Sequence, residues 1–380
     1  MKIALAQLNY TIGDIAGNTA KIIIAVERAK AEGADVVIFA EQALSGTPAF
    51  DLLRKTTFLE LCEEALDEIA SYCNGITAVV GTPILMQDGT QSAAVVIENG
   101  SIKRCITKAN ITARREMGFL NSGEGVKVVR IAGENVAIVV GDDFSHLDDV
   151  DSNVDMIFSI NARRYGKGLM SYRYETMRRM AFVESKTIVL INNVGGSGEI
   201  VYDGTSCVIN SKGELALLMN SFEEDFAIYD TMEECEPCEL PQELYRHDRT
   251  GYIYKAAVLG LRDYFRKNGY KKACVGLSGG IDSAVVACIA VEALGKENVK
   301  ALLMPSQFST DHSVTDATQL AESIGIDYSV LPISEAYTSI VNTLKPAIGG
   351  HEFDAFFAQF LSASAPQSSR RLLSEIHALQ

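Results

Sequence analysis

The residues best placed to do chemistry are Ser278-Gly279-Gly280-Ile281-Asp282-Ser283, between a strand-like run (Ala273 to Leu277) and a helical run from Ala284. Adjacent glycines let a backbone turn tightly with its N–H groups exposed. Those groups, the two serine hydroxyls and the start of the helix face one point, which makes an anion site. Asp282 at that point would repel a bare phosphate, so it calls for a divalent cation bridging carboxylate and phosphates. The string is not a GxxxxGK[ST] loop. The plainer alternative is a glycine turn with Asp and Ser capping a helix.

The elements that must hold this loop form a short alternating pattern. A helix from about Glu243 to Lys267 stops at Asn268-Gly269, a good C-terminal cap. Strand KKACVGL, the loop, helix AVVACIAVEAL, strand VKALLMP, helix SVTDATQLAESIG and strand YSVLPI follow, which spells a parallel sheet with crossover helices. Upstream, residues 1–230 alternate apolar strands with helices. MKIALAQL and ADVVIFAE (34–41) read as strands, and Ile22, Ile23, Val26 and Ala29 recur at helical spacing over Asn18–Gly33. Asn99-Gly100 predicts a hairpin because both turn positions favour positive φ. VAIVV, VDMIFSI and TIVLINNV read as buried strands and SCVINSKGELALLM as a second hairpin. The fold class predicted is α/β: an α-β-β-α sandwich over 1–230, an acidic two-proline linker (231–243), a parallel-sheet region (244–354) and an atypical tail (355–380).

Composition narrows the function. A formal charge of −15 over 380 residues excludes a broad basic nucleic-acid surface. No apolar run has the length of a membrane span, and the start lacks a signal-peptide pattern, so a cytoplasmic location is expected. Eight cysteines without a secretory signal read as reduced thiols. The lone CxxC pair, Cys235 and Cys238, lacks the second pair that a zinc site needs.

The segment GYIYKAAVLGLRDYFRKNGYKKACVGLSGGIDSAVVACIAVEALGKENVKALLMPSQFST and its continuation DHSVTDATQLAESIGIDYSVLPI resemble the synthetase domain of glutamine-dependent NAD synthetases. MKIALAQLN, FAEQALSGTPAFDLL and VYDGTS resemble the nitrilase-type (carbon-nitrogen hydrolase) amidase domain fused to it. The resemblance implies a second-region fold of the adenine-nucleotide alpha-hydrolase type. It implies ATP at Gly276, Leu277, Ser278, Gly279, Gly280, Ile281 and Ser283, with Met304 and Ser306 at the adenine pocket and Mg2+ on Asp282. It also implies deamido-NAD as the acceptor, ammonia as the nitrogen donor and a homo-oligomer.

The amidase of this family uses a Glu base, a Lys that stabilises the oxyanion and a Cys nucleophile. Glu41 and Lys108 match the first two. The nucleophile position reads Gly141, in Gly141-Asp142-Asp143, where the family has Cys-Glu-Asp. Glutamine-holding positions have changed as well: Ile111-Thr112-Ala113-Arg114 replaces Leu-Pro-Asn-Tyr, and Arg163 replaces a serine, while Lys167 matches a glutamine-contacting lysine. Cys105 lies near Lys108 in sequence but on the hairpin, away from the strand-end elbow. Glutamine hydrolysis is therefore expected to be lost, with Glu41 and Lys108 kept as a buried ion pair.

After His351-Glu352-Phe353-Asp354 the family pattern stops, and AFFAQFLSASAPQSSRRLLSEIHALQ does not resemble it, although Phe356, Phe357, Phe360 and Leu361 would share one helical face. This predicts a truncated synthetase region with doubtful ligase activity. The alternatives are a non-catalytic protein that binds nucleotide or assembles, and an adenylating ligase for another acceptor.

Overall fold

The computed structural model describes residues 1–112, 116–146, 153–233, 236–241, 250–307 and 309–346. Arg114, Cys235, the first residues of the expected 243–267 helix and the 355–380 tail lie outside them. The chain forms two compact units, Met1–Lys271 and Lys272 onward.

The first unit contains two six-stranded sheets. One is ordered β14-β1-β2-β3-β4-β5, with β1 (Lys2–Gln7), β2 (Val36–Phe39), β3 (Thr77–Met86), β4 (Gly89–Glu98), β5 (Ser101–Thr107) and β14 (Asp225–Asp230). The other is ordered β13-β12-β9-β8-β7-β6, with β6 (Lys127–Ile131), β7 (Glu134–Val140), β8 (Met156–Asn161), β9 (Thr187–Asn192), β12 (Cys207–Ile209) and β13 (Leu215–Leu218). A small hairpin pairs β10 (Val194–Ser197) with β11 (Ile200–Asp203). β1 and β2 pack on β9, and β4 and β5 on β7, so the sheets lie face to face. Helices α1 (Ile15–Ala31) and α2 (Thr56–Tyr72) cover the first sheet, and α3 (Leu169–Glu184) covers β9 and β12 of the second. The expected α-β-β-α sandwich is the observed one.

Local chemistry accounts for the elements. β2 is VVIF, buried at every position, because it runs parallel between β1 and β3 with both faces covered. Asn99 (φ 52°) and Gly100 (φ 78°) turn β4 into β5, as the hairpin reading requires. Asp14 caps α1 by accepting from the Gly17 N–H, so this helix starts three residues ahead of Asn18.

Helix α4 (Thr250–Lys267) belongs to the first unit and packs on the β10–β11 hairpin. Its Asp263 is 1% exposed and accepts from Asn9 Nδ2 (2.6 Å) and the Gly196 N–H (2.7 Å). Lys267 donates to the Tyr10 and Gly196 carbonyls. Burial pulls its ammonium down to about 8, against the opposing pull of Asp263.

The second unit has a three-stranded parallel sheet ordered β15-β16-β17, from β15 (Ala273–Gly276), β16 (Val299–Leu303) and β17 (Asp327–Val330). Helices α5 (Ile281–Leu294) and α6 (Asp311–Ile324) pack on it, and α7 (Ser334–Leu344) follows. Among the described residues no helix is long and apolar enough to cross a membrane.

Candidate functional site

In the first unit, strand ends bring distant residues together. Glu41 follows β2, Lys108 follows β5 and Gly141 follows β7. The Lys108 ammonium lies 3.0 Å from Glu41 Oε1, with both side chains at least 95% buried. Ser92 donates to the same Glu41 oxygen (3.0 Å). Glu116 is a further member that sequence reading missed. Its Oε2 is 3.0 Å from Lys108 Nζ, so one ammonium sits between two carboxylates. Burial alone would lower the Lys108 pKa, but the charges of Glu41 and Glu116 hold it above its ordinary value. Burial, and then the neighbouring Glu41, push Glu116 up.

Gly141 sits against this cluster with φ at +60°, and its N–H is bonded to the Ile160 carbonyl (2.8 Å). A Cβ added there would lie 2.6 Å from Lys108 Cε and 3.2 Å from Glu41 Oε2. The lysine thus occupies the space a side chain at position 141 would need. Asp143 is buried and accepts from the Ala109 and Asn110 N–H groups at 2.7 Å each, tying the β7 end to the β5 end.

The cluster lines a cavity of about 620 Å³ with Thr112, Asp142, Arg163 and Arg164 at its polar side and Pro48, Leu169, Tyr172 and Ile200 among its walls. Arg163 Nη2 meets Asp142 Oδ1 at 2.6 Å, while its Nε donates to Asn161 (2.9 Å) and Thr112 donates to Asp142 (3.0 Å). Arg163 is thereby neutralised across the cavity, next to Gly141. Lys167 is exposed, and Cys105 lies on the exposed part of β5; neither lines the cavity.

In the second unit the Ser278–Ser283 loop leaves β15 and opens α5. The Ser278 N–H donates to Ser283 Oγ (3.2 Å), the two hydroxyls are 3.1 Å apart, and Ser283 donates to the Gly280 carbonyl (2.9 Å). Gly279 has φ at +83°, and a Cβ there would lie 2.3 Å from the Ser313 carbonyl oxygen of α6. The glycine therefore lets the loop lie directly on backbone. Beside the loop is a cavity of about 240 Å³ lined by Gly276, Leu277, Ser278, Met304 and, unforeseen from sequence, Ser309 and Ser313. Ser306 stands one step behind, its N–H donating to Ser309 Oγ (3.0 Å). The Ile281 side chain is 76% exposed, leaving its backbone as the part suited to an anion. Asp282 is exposed in the first turn of α5.

Comparisons with known proteins agree across both units. The carbon-nitrogen hydrolase family model matches residues 2–238, and the NAD synthase model matches residues 253–359. The chain is 33% identical to the glutamine-dependent NAD(+) synthetase of Aquifex aeolicus and 32% identical to that of Thermotoga maritima, in both cases over 93% of this chain and 69% of the relative. The structure of the Acinetobacter baumannii glutamine-dependent NAD+ synthetase, solved in complex with adenosine diphosphate, superposes with a TM-score of 0.84 at 31% identity, covering 93% of this chain and 69% of that one. An amidase from Nesterenkonia sp. AN1 shares the first unit's fold (TM-score 0.55, 19% identity, 67% of this chain and 98% of that one).

Proposed function

We infer, for a chain that belongs to the glutamine-dependent NAD(+) synthetase family, that the second unit binds ATP while the first no longer hydrolyses glutamine. The observation that carries the reading is position 141, a glycine packed against Lys108 and Glu41. An acyl-enzyme needs an attacking side chain there, and none exists. The Arg163–Asp142 pair across the same cavity further opposes glutamine.

The reaction of the family is ATP-dependent amidation of deamido-NAD. The nicotinate carboxylate attacks the α-phosphorus, pyrophosphate leaves, and ammonia displaces AMP. In this chain the nitrogen would come from free ammonia. The N–H groups and hydroxyls of Ser278, Gly279, Gly280 and Ser283 would cradle the phosphates, with the adenine side toward Met304. The donor set fits a nucleotide-borne magnesium. Among the described residues no group of three or more His, Cys, Asp or Glu could hold an ion unaided, and Mg2+ typically takes one or two carboxylates plus substrate phosphates. Asp282 supplies that carboxylate, and the ion when bound would neutralise the leaving pyrophosphate. Self-association into a homo-oligomer belongs to the same reading.

A second reading is nucleotide binding without turnover: the cavity beside the Ser278–Ser283 loop offers room for part of a nucleotide and not for an acceptor as well. At about 240 Å³ it is smaller than the roughly 300–1,000 Å³ usual for ligand sites. Titration calorimetry of Mg-ATP, followed by a pyrophosphate-release assay with deamido-NAD and ammonium, separates the two. Saturable binding is expected; its absence would overturn the nucleotide site. Release would support the ligase, and binding without release the second reading.

A further inference from the structure

A loop that binds an anion through its N–H groups binds best when those groups are aimed before the ligand arrives. The Ser278–Ser283 loop does little to hold itself. Its Ser278 and Gly280 N–H groups reach side-chain hydroxyls at 3.2 and 3.4 Å, and such exposed bonds compete with water, so each contributes little. Its ends are anchored: the Leu277 N–H donates to the Leu302 carbonyl (3.0 Å) and the Ala284 N–H to the Gly280 carbonyl (3.2 Å). In its middle, Gly279 rests on α6, since an added Cβ would lie 2.3 Å from the Ser313 carbonyl oxygen and 2.8 Å from Ser313 Cα. The place of Ser313 therefore decides the place of Gly279.

Ser313 lies in the first turn of α6. The body of that helix packs on β16 and β17, with Ala317 and Ala321 buried. A first turn has backbone N–H groups that need an acceptor from outside the helix, and Thr310 supplies it. Its backbone is extended (φ −84°, ψ 154°), and its Oγ1 accepts from the Ser313 N–H (3.3 Å). Its carbonyl accepts from the same N–H (3.1 Å), and the Thr310 and Ser313 hydroxyls are 2.8 Å apart. One exposed threonine thus holds both the N–H and the hydroxyl of the residue whose carbonyl carries Gly279.

We propose that Thr310 is a positioning residue for the Ser278–Ser283 loop, acting through Ser313. The loop opens α5 and Ser313 belongs to the opening turn of α6, so the cap of one helix sets the anion-facing start of the other. When the cap is lost, the first turn of α6 frays part of the time, Gly279 loses its support, and a smaller fraction of the chains holds the loop ready for phosphate. The inference rests on the reading that this loop holds the phosphates of ATP.

Titration calorimetry of the full chain with Mg-ATP, and separately with adenosine, tests it. Thr310→Val keeps the shape of the side chain and removes the hydroxyl, and should weaken Mg-ATP about 5-fold, the effect of losing a typical cap. Thr310→Ser, which can still cap, should stay within about 2-fold of the wild type. Adenosine has no phosphate for the loop to hold, so its affinity should stay within about 2-fold in both variants. In a Gly279→Ala background, Thr310→Val should add less than about 2-fold, because the contact through which it acts is already broken. Circular dichroism confirms the fold of each variant. A wild type that fails to bind Mg-ATP would overturn the nucleotide reading and this inference with it. Wild-type binding that Thr310→Val leaves unchanged, an equal loss for adenosine, or full additivity with Gly279→Ala would overturn the positioning role alone.

Discussion

Replacing Lys108 with methionine is expected to lower the stability of the first unit by about 3–5 kcal/mol, the usual cost of removing one partner from a buried ion pair. The position is severe because two carboxylates, Glu41 and Glu116, share the one ammonium. Without it they face each other in a buried site and one must take a proton. The sign of the pH effect follows. In the variant the folded state holds a proton that the unfolded chain releases near the ordinary Glu value. Stability then falls as pH rises through that range, so the deficit is largest at neutral pH and shrinks toward pH 5. Urea midpoints read by circular dichroism at two pH values check this. Adding Glu41→Gln and Glu116→Gln should recover much of the loss. A deficit below about 1 kcal/mol at neutral pH would mean that the triad is not the buried cluster described.

The second large effect concerns adjacent glycines with opposite predictions. Gly279→Ala places a methyl 2.3 Å from the Ser313 carbonyl oxygen at a positive φ. No side-chain rotation relieves a clash with backbone, so the loop or the start of α6 must move. Mg-ATP affinity should drop about 100-fold, equivalent to ~2.7 kcal/mol. At Gly280 an added methyl would meet only Ser278 Oγ at 3.5 Å, with negative φ, so Gly280→Ala should stay within about 3-fold. Equal losses in calorimetric titrations of both variants would show that the contact with α6 does not set the loop.

The Ser278–Ser283 loop was legible because its chemistry is contiguous: six residues between one strand and one helix. The Asn99-Gly100 hairpin was legible for the same local reason. The cluster of Glu41, Lys108 and Gly141 is different in kind. Positions 41, 108 and 141 meet only because β2, β5 and β7 end on one side of the sandwich, and their spacing carries no sign of it; the resemblance to a family named them. Glu116 carried almost no signal, being one charge in a polar stretch after Lys108. The Arg163–Asp142 bridge follows from β7 and β8 lying parallel with Val140 beside Ile160, a register that cannot be read from two loops 21 residues apart. Ser309 and Ser313 reach the cavity beside the Ser278–Ser283 loop from the segment that enters α6 and from its first turn, which a strand-loop-helix motif does not foretell.

The most direct test of the central claim is glutamate release from glutamine by the purified chain, with Mg-ATP and deamido-NAD both saturating. Release no greater than the protein-free blank is the predicted result, because nothing at position 141 can form an acyl-enzyme. Glutamate produced in proportion to protein, and abolished by Glu41→Gln, would contradict it.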